Sequence, residues 1–155
     1  MADKMRWRWG PPNDVHVATF DSDVIQIGDL VWQDEEGRGR PAETAAGARF
    51  FARNFLGVAM TRSRKGELES IRVATSGCFL YDCPPQTALI GTLTRLYLDA
   101  VEGGAGLSQA VTATGEPKEA IGRCMRMEAT PAEELYIKIT STVMDGGVQS
   151  RDHEH

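Results

Sequence analysis

"FLGVAM" occupies residues 55–60 and "AIGRCM" residues 120–125, so a chain of 155 residues writes two apolar residues, a glycine, two more residues and a methionine twice, 65 positions apart. The first copy is followed, after a charged turn, by "IRVATSG" and the second by "LYIKITS", runs in which alternate residues are apolar. Upstream, "IQIGDLVW" precedes the first copy and "LIGTLTRLYL" the second, with Gly28 and Gly91 spaced by 63. An echo held in register over three segments reads as one β-supersecondary unit used twice. Gly57 and Gly122 are expected at matched strand positions, where a side chain would obstruct tight curvature or a crossing backbone.

At this length one domain is the default, and the chain can bury a core without disulfides or metals. A hydrophobic fraction of 41% and a charged fraction of 25% exclude disorder of the whole chain. No apolar run approaches the roughly 18 residues of a membrane span, and "MADKMRWRWGPP" lacks a signal peptide's apolar segment; neither secretion nor membrane insertion is expected. Cys78 and Cys83 have a spacing that zinc sites do not commonly use, and with Cys124 they read as reduced, packed thiols. Acidic side chains outnumber basic ones, and the net charge of -5 opposes the phosphate neutralisation that direct nucleic-acid binding needs.

Along the chain, residues 1–14 form an N-terminal arm in which Arg6, Trp7, Arg8 and Trp9 alternate before Gly10-Pro11-Pro12. "VHVATF" (15–20) and "VIQIGDLVW" (24–32) read as strands, and "QDEEGRGRP" as a polar turn. "AETAAGARFFARNF" alone has helix-like composition and predicts one short helix, with Gly47 in its middle costing about 1 kcal/mol against Ala. "ESIRVATSGCFLYD" predicts a half-buried strand broken or bulged at Gly77, with Ile71, Val73, Thr75, Phe79 and Tyr81 on one face and Arg72, Ser76 and Leu80 on the other. Later strands are "LTRLYLDA", the weaker "SQAVTATG", "AIGRCMRM" and "ELYIKITSTV", the last with Leu135, Ile137, Ile139 and Val143 inward. About eight short strands separated by turns predict an all-β fold, a small β-barrel with an internal pseudo-repeat, one short helix and an N-terminal arm. The expected division is arm 1–14, barrel 15–144 and a flexible tail 145–155, the two halves closing edge to edge.

Candidate chemistry is sparse. A nucleophilic triad needs a histidine in reach of Ser or Cys, and His16 lies in a strand pattern between Val15 and Val17, where an outward structural place is expected. His153 and His155 in the tail imply no third metal ligand. Asp34-Glu35-Glu36, and Glu67 with Glu69, read as solvated turn carboxylates, and "GGAG" (103–106) as a flexible loop lacking phosphate-cradle spacing. No catalytic residue, cofactor or metal is expected. The candidate partner-binding residues are Arg6, Trp7, Arg8 and Trp9 of the arm, whose tryptophans project to one side of an extended chain and either dock on a neighbour or fold back onto their own barrel, and Arg62, Arg64 and Lys65 of the basic turn.

Laid in order, "IQIGDLVW", "FLGVAM", "IRVATSGCFLYDC", "LIGTLTRLYLDA", "AIGRCM" and "LYIKI" make the chain resemble the structural cement, or decoration, proteins of tailed-phage capsids. That family has a G-D-x-V start, a G-V-A strand, a V-x-V strand ending in Gly, a second Gly-led strand, then I-G and a final V-x-V strand. The match runs from about Val24 to Val143; "AETAAGARFF" and the Trp-rich head depart from it. The resemblance implies a small barrel on the outside of the virion capsid, made in the host cytoplasm and stiffening the shell. It further implies the major capsid protein and its own copies, as a homotrimer, for partners, and no catalytic residues. The alternative is a small-ligand-binding or enzymatic β-barrel whose site lacks a linear motif.

Overall fold

The computed structural model describes residues 7–9, 14–20, 22–63, 70–83, 90–91, 94–100, 107–113, 115–125 and 134–148. These hold eleven strands: β1 (Trp7–Trp9), β2 (Asp14–Ala18), β3 (Leu30–Gln33), β4 (Gly39–Pro41), β5 (Phe55–Ala59), β6 (Ser70–Ala74), β7 (Ser76–Asp82), β8 (Arg95–Ala100), β9 (Leu107–Thr112), β10 (Ala120–Cys124) and β11 (Glu134–Thr140). Two short helices, α1 (Ala48–Arg53) and α2 (Thr142–Asp145), accompany them. One antiparallel sheet has the order β2-β6-β5-β3-β4, the other β1-β7-β11-β10-β8-β9. Without β1, the second order is the first with every strand advanced by five, so β2–β6 and β7–β11 are the same unit built twice.

Register confirms the correspondence residue by residue. Val15 faces Val73 and Val17 faces Ile71 in the first unit; Phe79 faces Ile137 and Tyr81 faces Leu135 in the second, each 64 positions later. Between β3 and β5 the ladder passes from Val31 opposite Gly57 to Trp32 opposite Phe55, leaving Leu56 as an extra residue. Between β8 and β10 it passes from Leu96 opposite Gly122 to Tyr97 opposite Ala120, leaving Ile121 extra. A bulge bends its strand and increases the local twist. The same bend therefore occurs twice beside the same glycine, as the repeated hexapeptide predicts. Hydrogen bonds repeat too: the Met60 N–H donates to the Arg72 carbonyl at 2.8 Å and the Met125 N–H to the Tyr136 carbonyl at 2.9 Å.

Both glycines are required by close approach. A Cβ on Gly57 would overlap the Ala74 carbonyl, with the carbonyl carbon at 2.8 Å, and one on Gly122 would overlap the Lys138 carbonyl and the Ile137 side chain. In each case the obstructing carbonyl belongs to the strand that follows in the unit.

Each unit curls around its own apolar filling. In the first this is Val17, Ile25, Val31, Leu56, Ala59, Ile71 and Val73, all buried. Their counterparts Tyr81, Ile90, Leu96, Ile121, Cys124, Leu135 and Ile137 fill the second and join the larger core. The first sheet rolls up within itself: Thr19, just past β2, bridges Gly39 of β4, and β9 of the second unit likewise lies against β7. Barrel curvature thus arises inside the units, where the sequence pattern anticipated two halves joining edge to edge. The halves meet instead through side chains. Leu30, Trp32, Phe55, Val58 and Ala74 turn away from the first filling and share a cluster with Phe51 and Ala52 of α1 and the interior of the second unit. There Gln109 of β9 acts in place of a neighbouring strand: its Oε1 accepts the Leu30 N–H at 2.6 Å, and its Nε2 donates to Glu43 Oε1 at 2.8 Å.

Several local expectations shift. The run 70–82 breaks at Thr75, not at Gly77, where the chain leaves one sheet for the other, and Leu80 is buried. Gly47 precedes α1 instead of interrupting it. The segment after Ser141 is a second helix: the Ser141 hydroxyl accepts the Met144 N–H at 3.1 Å as an N-cap, which turns Val143 outward into exposure. Residues 24–29 form turns around a bridge at Ile25, not strand, and β4 lies within the expected polar turn.

Candidate partner-binding site

The β3–β4 hairpin and its surroundings bring charged and aromatic side chains together. Asp34 closes the hairpin: its carboxylate accepts the Arg38 N–H at 2.8 Å, the Arg38 Nε at 2.8 Å and the Glu36 N–H at 3.0 Å. Burial pushes the Asp34 carboxyl up, but these bonds together outweigh it and hold it below the usual carboxylate range. Arg38 also reaches Glu36 at 2.9 Å.

Two residues on, Arg40 makes a bidentate pair with the buried Asp23, at 2.6 and 3.2 Å, and that hydrogen bonding raises its already high pKa against the opposing effect of burial. The ring of Phe20 lies under both guanidinium groups, with Arg38 at 4.6 Å and Arg40 at 4.3 Å from its centroid. Strand alternation places Arg38 and Arg40 on one side of the chain, which lets one ring serve both. Beside them Trp32 donates its indole N–H to Thr44 Oγ1 at 3.0 Å and meets Phe50 of α1 edge to face, with centroids 5.1 Å apart. Phe50 is 41% exposed, whereas Phe51 next to it is fully buried.

Between these groups lies a surface pocket of about 250 Å³, walled by Trp32, Phe50 and Asn54 and rimmed by Asp34, Glu35 and Glu36. Arg38 and Arg40 line it as well, and because Arg38 pairs with Asp34 and Glu36, and Arg40 with Asp23, most of the charge around it is balanced within the chain. No sequence motif marks Phe20, Arg40 or Phe50, and the three carboxylates read in the sequence as solvated turn residues. The available signal was the alternation of Arg38 and Arg40 next to an aromatic-bearing strand.

Of the residues expected to bind a partner, Trp7, Arg8, Trp9 and Arg62 are among the described residues. Trp7–Trp9 pair as β1 with β7, Trp7 opposite Phe79 and Trp9 opposite Cys78, which ties this part of the arm to the edge of the second sheet. Arg62 is exposed beside Ser63, which bridges Ile25 in the first unit. Arg6, Arg64 and Lys65 lie outside the described residues, as do 103–106, Glu67, Glu69, His153 and His155. His16 is exposed on β2, opposite Arg72. The three cysteines are buried thiols. Among the described residues no three or more His, Cys, Asp and Glu side chains are grouped to hold a metal, and no helix is long and apolar enough to cross a membrane.

Compared with protein-family models and with curated proteins, the chain matches none.

Proposed function

We propose that the chain is a non-enzymatic decoration protein of a tailed-phage capsid, binding the outer face of the shell and stiffening it against expansion and heat. The observation that carries this reading is the ordered series of short strand motifs, with the glycines of "FLGVAM" and "AIGRCM" at matched places in a five-strand unit used twice. A duplicated, rigid, small barrel whose conspicuous surface features are charged and aromatic suits a part that works by burying surface on a partner. Its partners are the major capsid protein and further copies of itself, as a trimer at local symmetry axes, where linked copies gain affinity through effective concentration.

The alternative, a small-ligand or enzymatic barrel, draws less support. The pocket beside the β3–β4 hairpin, about 250 Å³, is smaller than typical ligand sites of roughly 300–1,000 Å³ and does not itself carry that reading. Co-sedimentation with expanded capsid shells tests the proposal. Saturable binding with a raised melting temperature of the shell is expected. Protein left wholly in the supernatant, with the shell's melting unchanged, would overturn it.

A further inference from the structure

We draw no further inference here: the strongest candidate, the surface where Phe50 of α1 and Val143 and Met144 of the adjoining α2 are exposed, carries none because nothing in the structure shows what covers it.

Discussion

Replacing Gly57 by Ala introduces one methyl group where the backbone of β6 crosses β5. The new Cβ would lie 2.8 Å from the Ala74 carbonyl carbon and 3.1 Å from Thr75 Cα, and would overlap the Ala74 oxygen. Carbon atoms prefer separations of about 3.5–4.0 Å, so the two strands must part by roughly 1 Å. These neighbours are main chain and cannot rotate aside. The displacement falls on the Val58–Ala74 and Ala59–Val73 pairs, which join β5 to β6. Weakening two ladder bonds costs about 1 kcal/mol each, and loosening the filling beneath them adds a similar amount, for a total of about 3 kcal/mol. In a chain of this size that lowers Tm by roughly 6–12 °C. Urea titration with the slope checked for constancy measures it. Gly47→Ala is the control: its Cβ meets nothing within 4 Å and its φ of 175° is ordinary extended backbone, so a change within about 0.5 kcal/mol is expected. Equal tolerance at the two positions would refute the claim that close approach, and not chance, retains the glycine in "FLGVAM".

Gly122→Ala should also destabilise, by about 2 kcal/mol, because part of its obstruction is the Ile137 side chain, which can give way; chemical denaturation checks the ordering below Gly57→Ala. Gln109→Ala removes the acceptor of the buried Leu30 N–H and should cost about 2 kcal/mol by the same measurement, with Gln109→Glu failing to restore it because a second carboxylate would face Glu43. Asp23→Asn leaves Arg40 without its carboxylate between Phe20 and Trp32 and should cost about 2 kcal/mol, read by melting and by a shift in Trp32 fluorescence. The Tyr81 hydroxyl donates to the Gly28 carbonyl at 2.5 Å, and its pKa is raised well above 10.0 first by burial and then by Asp29. The unfolded phenol ionises near pH 10 while the folded one keeps its proton, so the unfolded state binds fewer protons there and stability falls as pH rises above about 10, by up to about 1.4 kcal/mol per pH unit. Tyr81→Phe should flatten that alkaline decline, measured by urea titration between pH 8 and pH 11 at about half-unit steps, while costing about 1 kcal/mol at neutral pH.

The sequence by itself determined the β class, the doubling and the two glycines, Gly57 and Gly122, beside which the repeated bend occurs. These are local or periodic properties: alternating side chains declare a half-buried strand, and a glycine recurring in the same hexapeptide declares a repeated steric demand. The inward faces of β6, β7 and β11 were readable for the same reason, because Ile71, Val73, Phe79, Tyr81, Leu135, Ile137 and Ile139 occur at period two. Only the tertiary structure decided how the two units meet and which outward residues are covered. Leu80 reads as outward by alternation yet is buried, and Val143 reads as inward yet is exposed, since what lies over a strand's second face comes from distant chain. Gln109, in a weak strand candidate, gains its role from Leu30, a residue 79 positions away. The pocket depends likewise on Asp23, Arg40 and Phe50, which no motif links; their association follows from the roll of one small sheet and the placement of α1, and exists only once the chain has folded.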